Sequence, residues 1–260
     1  LEAAVARGVN VTAELYPYPG GSSHGLIFLP LWSHEGGTDK ILERLSNPET
    51  RLRIAEDYDK TLGSWHRIRF SNLPSGKNDS LIGRTVGAVA EERGINGEDL
   101  LCELMLEEKL QVGFVEVPPE DAATWQAFDK DILTLLSKPY YMVGSDSIPV
   151  GQQPHPRGHG CFPRVLKLQR EHPELVSLET LIQHLTSIPA KRFALKDRGT
   201  LEPSKAADIV MFDPDAVTDT ATYDHPKSYA KGIEYVLVNG QLAVKRGSVT
   251  GELAGRALPR

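Results

Sequence analysis

The sequence Met142-Val-Gly-Ser-Asp146-Ser-Ile-Pro-Val-Gly-Gln-Gln-Pro-His-Pro-Arg157 passes from an apolar run into a loop rich in glycine and proline. The run Tyr140–Val143 is short, apolar and β-prone, so it predicts a buried strand that ends just before Asp146. In α/β barrels and open α/β sheets, loops at the carboxyl ends of strands carry the catalytic groups. Asp146 is therefore a candidate catalytic carboxylate. The alternative is a turn-forming aspartate, because Ser145 and Ser147 beside it also favour turns.

Helical and strand patterns alternate in the chain before this strand. Amphipathic patterns predict helices over Val86–Arg93, Leu100–Lys109 and Glu120–Ser137. A short apolar strand is predicted over Gln111–Val117, where two prolines end it. Helices alternating with buried strands are typical of a parallel sheet or barrel, so we expect an α/β fold.

The first 80 residues contain a strand and then a change of pattern. The segment Leu1–Gly8 resembles the end of a helix with a glycine cap, and Val9–Tyr16 follows as a strand. A domain seldom begins in this way, so we expect the chain to be the carboxyl-terminal part of a longer protein. From about residue 20 to about residue 80, two helical patterns and an alternating strand predict an insertion. A lid, a dimer surface and structural padding are the three interpretations of it.

The last 62 residues, 199–260, have an all-β pattern. Strands are predicted over Ala207–Phe212, Ile233–Val238 and Gln241–Arg246, and Asn239-Gly240 between the last two is a strong hairpin signal. We expect their charged side chains to lie on the surface and to supply no catalytic residue.

Composition restricts the class of protein. The 260 residues carry a formal net charge of -6, which argues against a nucleic-acid partner. No apolar run is long enough to cross a membrane, and no signal-peptide pattern stands at the front. The two cysteines, Cys102 and Cys161, form neither a disulfide framework nor a metal motif, so a cytoplasmic location is expected.

Several blocks of the sequence resemble the N-acyl-D-amino-acid deacylases (D-aminoacylases), a branch of the amidohydrolase superfamily. Their ordered agreement is more specific than any single motif. The blocks are Val11–Tyr18, Ser145-Asp146, Pro154–Arg157, Gly160–Leu166, Leu185–Phe193, Ala206–Pro214 and Ile233–Gly240.

The resemblance implies the carboxyl-terminal part of a TIM-barrel-like, metal-dependent hydrolase that acts on a small N-acyl amino acid. Residues 1–198 would form the last strands and helices of the barrel, and residues 199–260 would join a small β-sandwich. It implies zinc as the cofactor, held by ligands that lie before Leu1, with a weak or shared contact from Asp146. The missing amino-terminal half of the barrel would be a required partner, and an oligomer is compatible with the pattern.

The resemblance also assigns roles to four residues. Asp146 would act as general base and then general acid, and Arg157 would bind the substrate carboxylate, which a guanidinium grips with two parallel hydrogen bonds. Tyr16 and Ser23 would help to hold the substrate. The alternatives are that Arg157 pairs with a surface acid, that Tyr16 packs in the barrel mouth, and that Ser23 ends a turn.

The histidines are weaker candidates for metal ligands. His155 and His159 have a suitable spacing on a helix, but Pro156 and Gly158 between them argue against a helix there. The predicted helices after Phe162 place His172 and His184 at exposed positions, where we expect no ligand role.

Two other functions remain open at this point. A cyclic-amide hydrolase of the same superfamily, such as a dihydropyrimidinase-like protein, would use similar chemistry. Alternatively, this chain by itself is a non-catalytic fragment or a binding subunit that lacks the upstream metal ligands.

Overall fold

A computed structural model describes residues 1–58 and 64–258 of the chain. Residues 59–63, inside the predicted insertion, and residues 259–260, at the end of the predicted β segment, lie outside the described part. The fold is mixed α/β. Its α-helices are α1 (Glu2–Ala6), α2 (Thr38–Ser46), α3 (Pro48–Glu56), α4 (Val86–Arg93), α5 (Gly97–Glu107), α6 (Ala122–Leu136), α7 (Arg157–Glu171), α8 (Leu178–Leu185) and α9 (Ser187–Arg192). Its strands are β1 (Ala13–Leu15), β2 (Ser22–His24), β3 (Ile68–Asn72), β4 (Gly113–Glu116), β5 (Tyr141–Val143), β6 (Ile209–Phe212), β7 (Ile233–Val238), β8 (Gln241–Lys245) and β9 (Ser248–Val249).

The strand expected before Asp146 is confirmed as β5. It pairs in parallel with β1, and Leu15 lies opposite Val143. Helices α6, α7 and α8 cover this pair and contribute the fully buried Leu136, Val165 and Leu181 to one apolar cluster. Burial of each such side chain stabilises the fold by about 1.5–3 kcal/mol. The packed helices thereby fix the carboxyl end of β5, which leads to Asp146.

A second sheet has the order β2-β4-β3 and is antiparallel throughout. The strand predicted over Gln111–Val117 is confirmed as β4, but the expectation that it would join a parallel sheet is wrong. Its Phe114 ring packs 5.1 Å from the ring of Phe28 and 5.4 Å from that of Phe70, measured between centroids. Phe114 is paired with Ser23 of β2 and with Phe70 of β3, so β4 lies between these two strands.

Helices α2 to α5 pack around this second sheet in a single apolar cluster that runs from Phe28 to Phe114. The sequence placed the end of the insertion near residue 80. The structure shows no break there, because Leu100 and Met105 of α5 are fully buried in the same cluster as Leu45 of α2. We call the packed segment from β2 to β4, residues 22–116, the insertion unit.

Two expectations about the helices beyond β5 are wrong. Helix α7 begins at Arg157, not at Phe162, because the fixed φ of Pro156, −60°, suits the start of a helix. Gly160 leaves room for the Tyr18 hydroxyl, which a side chain at this position would overlap. His184 is buried, with 1% of its surface exposed, and its Nδ1 lies 2.6 Å from the Tyr141 carbonyl oxygen.

The carboxyl-terminal segment forms an antiparallel sheet in the order β6-β7-β8-β9. The predicted hairpin is confirmed: Asn239 and Gly240 have φ angles of 49° and 79°, which a tight turn of this kind requires. Within residues 1–58 and 64–258, no helix is both long and apolar enough to cross a membrane.

Candidate functional site

Asp146 lies three residues beyond the end of β5, in an unusual backbone conformation. Its φ is 44°, in the left-handed region, which aspartate and asparagine tolerate better than most residues. Non-glycine residues in such regions cost about 1–3 kcal/mol and cluster at functional sites. The side chain is 69% exposed, so the carboxylate is open to a substrate.

Arg157 opens helix α7 and is almost completely buried, with a side-chain exposure of 1%. Its Nη2 lies 2.9 Å from Oδ2 of Asp146 and donates a longer hydrogen bond of 3.5 Å to the Ser22 carbonyl oxygen. The guanidinium also lies over the ring of Tyr16, 4.5 Å from its centroid. The structure therefore brings together three of the four predicted site residues, Asp146, Arg157 and Tyr16.

One donor of this guanidinium lacks a partner. Nε of Arg157 is buried and has no hydrogen-bond acceptor among the described residues. Leaving a buried charged donor unsatisfied costs free energy, so such atoms in a folded protein call for an explanation. A guanidinium offers its donors in a planar fork that matches a carboxylate. In this structure Nη2 already pairs with the carboxylate of Asp146, so a small-molecule carboxylate would have to share or replace that contact.

Tyr16 and Ser23 differ in their relation to this pair. The Tyr16 hydroxyl donates to the Gly20 carbonyl oxygen at 3.4 Å, which holds its ring under Arg157. Ser23 is paired with Phe114 in the second sheet and lines a neighbouring pocket. In the described part of the chain no hydrogen bond joins Ser23 to Arg157, and Ser22 makes that contact instead.

A buried histidine, His155, contacts Arg157, and the sequence analysis predicted no supporting role for it. His155 is 3% exposed, and its Nδ1 accepts a hydrogen bond of 3.0 Å from the Arg157 backbone N–H. Its Nε2 lies 3.1 Å from the hydroxyl of Tyr223. Burial, and then the positive charge of Arg157, lower the pKa of His155 to about 3. The prolines on both sides of His155 restrict the backbone there, whereas no periodic pattern in the sequence marked Tyr223.

The loop between Asp146 and Arg157 is fastened at its middle to the insertion unit. The side-chain amide of Gln152 both accepts from the Leu73 N–H, at 3.3 Å, and donates to the Leu73 carbonyl, at 3.1 Å. The backbone N–H of Gln153 donates to the Ser71 carbonyl at 3.0 Å. On its other side, Lys227 donates to the Gly151 carbonyl at 2.9 Å. Strand β3 and the carboxyl-terminal segment together fix this loop.

A second arginine, with 11% of its side chain exposed, secures the segment after β1. Arg164 of α7 donates to the Pro17 carbonyl and to Asp129, both at 2.7 Å. Burial raises the pKa of the Asp129 carboxyl, although Arg164 opposes the shift. Asp219 accepts from the Tyr18 hydroxyl at 3.3 Å and is only 10% exposed. The expectation that charges beyond residue 199 lie on the surface is therefore wrong for Asp219.

The metal-binding capacity of the described residues is limited. A catalytic zinc ion takes three protein ligands and keeps one position open. Residues 1–58 and 64–258 contain no group of three histidine, cysteine or acidic side chains that could hold an ion. Asp146 can offer one oxygen, while both ring nitrogens of His155 face protein partners. These residues alone do not make a zinc site.

Comparison with known proteins settles the family. Residues 43–244 match the Amidohydrolase family. The chain belongs to this family. A D-aminoacylase from Alcaligenes xylosoxydans xylosoxydans is 38% identical over 180 residues, which is 69% of this chain and 34% of that protein. The chain therefore spans about a third of this relative's length.

Two solved structures of family members resemble the fold. A D-aminoacylase structure superposes with a TM-score of 0.71 at 32% identity, covering 100% of this chain and 44% of that one. An N-acyl-D-glutamate deacylase from Bordetella bronchiseptica, complexed with zinc and a phosphonate inhibitor, gives a TM-score of 0.65 at 28% identity, covering 95% and 43%. The resemblance to D-aminoacylases that the sequence indicated is confirmed.

Proposed function

We propose that the full-length protein hydrolyses the amide bond of N-acyl-D-amino acids. The observation that carries this proposal is the buried Arg157, with its unpartnered Nε, next to the exposed carboxylate of Asp146. An N-acyl amino acid has a free carboxylate a short distance from its amide bond. A site with a carboxylate-binding cation beside an open general base matches both groups.

Arg157 would bind the substrate carboxylate. Its buried position strengthens the interaction, because a charge pair is screened less in a protein interior than in water. The Tyr16 ring would hold the guanidinium plane in place. Ser23 remains a proposed substrate contact, now assigned to the pocket that it lines with Phe28 and Phe114 rather than to the carboxylate.

Asp146 would move the proton. The carboxylate accepts a proton from the attacking water and then delivers it to the leaving nitrogen, as general base and then general acid. Zinc, which the related N-acyl-D-glutamate deacylase structure contains, supplies an activated water and a polarised carbonyl when it is bound. Its principal ligands would come from outside the described residues, with Asp146 as a weak or shared ligand.

The fold supports the corresponding architecture. We propose that β1 and β5 are two of the last parallel strands of a TIM-like barrel within residues 1–198, and that residues 199–260 contribute to a β-sandwich. The insertion unit would then lie over the mouth of the barrel. Because β3 binds the loop that carries Asp146, we favour a supporting role over a freely moving lid.

The test is an assay of the zinc-loaded full-length protein with N-acyl-D-amino acids, their L enantiomers and cyclic amides, with amine release as the measurement. We expect hydrolysis of the D substrates only. A guanidinium that pairs with a carboxylate favours a substrate with a free carboxylate over a cyclic amide. If cyclic amides were hydrolysed faster than every linear substrate, or if no substrate were turned over, the proposal would be wrong.

A further inference from the structure

His155 caps the amino terminus of α7 in place of the residue that usually does so. The first N–H groups of a helix have no partner within it, and a side chain of the preceding residue usually accepts from one of them. In α7 the preceding residue is Pro156, which makes no side-chain cap hydrogen bond. Nδ1 of His155 accepts from the Arg157 N–H instead, at 3.0 Å, and the His155 carbonyl oxygen accepts from the Gly158 N–H at 3.3 Å.

The hydrogen bonds fix the tautomer of this ring. Nδ1 must carry a lone pair to accept from an N–H, so the ring proton lies on Nε2. That N–H points to the Tyr223 hydroxyl, 3.1 Å away. The low pKa of His155 keeps the ring neutral at physiological pH, which this pattern requires.

Aromatic rings leave the imidazole little room to move. The rings of Tyr16, Tyr18 and Tyr223 meet that of His155 edge to face, with centroid distances of 6.1, 5.3 and 5.0 Å. Tyr223 is itself held, because its carbonyl oxygen accepts from the side chain of Gln153 at 3.0 Å. A residue of the carboxyl-terminal segment thus reaches the start of α7.

We infer that His155, held by Tyr223, is a positioning residue that sets the Arg157 guanidinium for the substrate carboxylate. This inference rests on the proposed role of Arg157 as the carboxylate-binding residue. His155 binds the backbone N–H of Arg157, the residue that carries the guanidinium. A shift of this first helical residue therefore moves the guanidinium away from Asp146 and Tyr16. His155 touches neither substrate nor reacting atoms in this scheme, and its effect passes through the backbone.

Three variants of the zinc-loaded full-length protein test the inference. In His155→Asn the amide oxygen takes the place of Nδ1 and can accept from the Arg157 N–H, whereas His155→Leu has a similar size and no acceptor. Tyr223→Phe keeps the ring and removes the hydroxyl. His159→Asn is the matched control, because His159 is an exposed histidine on α7. The substrates are N-acetyl-D-leucine and its carboxamide, which lacks the carboxylate.

The expected result is a change in KM that depends on the carboxylate. For N-acetyl-D-leucine, His155→Leu raises KM by roughly tenfold with kcat within about twofold, the size of effect that loss of one well-placed hydrogen bond produces. His155→Asn stays within about twofold of the parent KM, and Tyr223→Phe lies between the two. For the carboxamide, none of the variants changes KM, and the control changes neither substrate's kinetics.

The outcomes separate this inference from the proposed function. If the parent enzyme shows no preference for the carboxylate substrate, and Arg157→Lys has no effect on KM, the proposed role of Arg157 fails. If that role holds but His155→Leu keeps the parent KM, raises KM equally for both substrates, or is not rescued by asparagine, the positioning role is overturned. If His155→Leu does not fold, His155→Asn and Tyr223→Phe are used instead. An unchanged KM in Tyr223→Phe then also overturns the positioning role.

Discussion

Asp146 carries a reactive carboxylate on a backbone conformation that few residue types adopt. A variant that tests its role must therefore tolerate the same backbone conformation. Asparagine tolerates the left-handed region, so Asp146→Asn removes the charge and keeps the backbone. We expect kcat of the full-length enzyme to fall by about 10²–10⁴, the usual contribution of a general base. The amide oxygen can still accept from Arg157, but the buried guanidinium loses its charged partner, so the unfolding free energy should fall by about 1–3 kcal/mol.

The control for this experiment is Asp131→Asn, an exposed aspartate on α6. It removes the same charge from the surface and should leave kcat unchanged. Near-normal turnover in Asp146→Asn, measured by amine release, would show that another group carries the proton.

The low pKa of His155 leads to a prediction about the stability of the protein at low pH. Its folded pKa of about 3 lies below the ordinary value near 6.5, so between these pH values the unfolded chain binds one proton that the folded chain does not. The unfolding free energy therefore falls as pH drops below about 6.5, by ~1.4 kcal/mol per pH unit from this group. The groups facing the ring are Arg157, Tyr16, Tyr18 and Tyr223, together with the backbone of Gly20, which opposes the fall in the pKa.

His155→Asn isolates that contribution. Urea unfolding of the parent and the variant at pH 7 and pH 5 should show a loss between the two pH values that is about 2 kcal/mol smaller in the variant. An identical pH dependence in both proteins would mean that folding does not lower the pKa of His155. On protonation near the ordinary pKa, His155 would then lose the hydrogen bond from the Arg157 N–H, because a protonated imidazole has no acceptor.

At the scale of elements, the loop from Asp146 to Arg157 depends on its contact with β3. Gly151 has a φ of 104°, and a Cβ at this position would meet the Ser71 carbonyl oxygen at 2.5 Å. Gly151→Ala should therefore push the loop away from β3, lower the unfolding free energy by about 1–3 kcal/mol and reduce kcat by at least tenfold. Gly255→Ala is the matched control, because no atom of the described residues lies within 4 Å of the place that its Cβ would take.

Thermal unfolding and amine release measure both effects in the full-length protein. A normal kcat in a Gly151→Ala protein of reduced stability would show that the loop does not need its attachment to β3 for catalysis. The insertion unit would then act on stability alone.

The sequence predicts elements with local signals and misses those that depend on distant partners. Strand β5 and the β7–β8 hairpin follow from short apolar runs and from Asn239-Gly240, which are visible in a few residues. The pairing of β4 depends on Phe28 and Phe70, many residues away. The start of α7 was missed because a proline and two glycines usually interrupt a helix, and here Pro156 begins one.

The same distinction applies to the candidate site. Asp146 and Arg157 stand in recognisable motifs, yet only the folded loop shows that they lie 2.9 Å apart. The hydrogen bond between His155 and Tyr223 joins residues 68 positions apart, and neither residue stands in a pattern that predicts the other. The choice of Ser22 over Ser23 as the partner of Arg157 depends on which backbone carbonyl faces the guanidinium, which no sequence pattern indicates.

For the whole molecule, the decisive question is where the metal ligands come from. The described residues contain no group of three potential ligands, so the 260-residue chain alone should retain much less than one zinc ion after dialysis. The zinc-loaded full-length protein should lose turnover with a chelator and regain it when zinc is added. In that protein Asp146→Asn should keep its zinc, measured by atomic absorption, because one weak ligand of several is lost. If the variant loses its metal together with its activity, Asp146 is a principal ligand, and the loss of turnover no longer assigns the proton transfer to it.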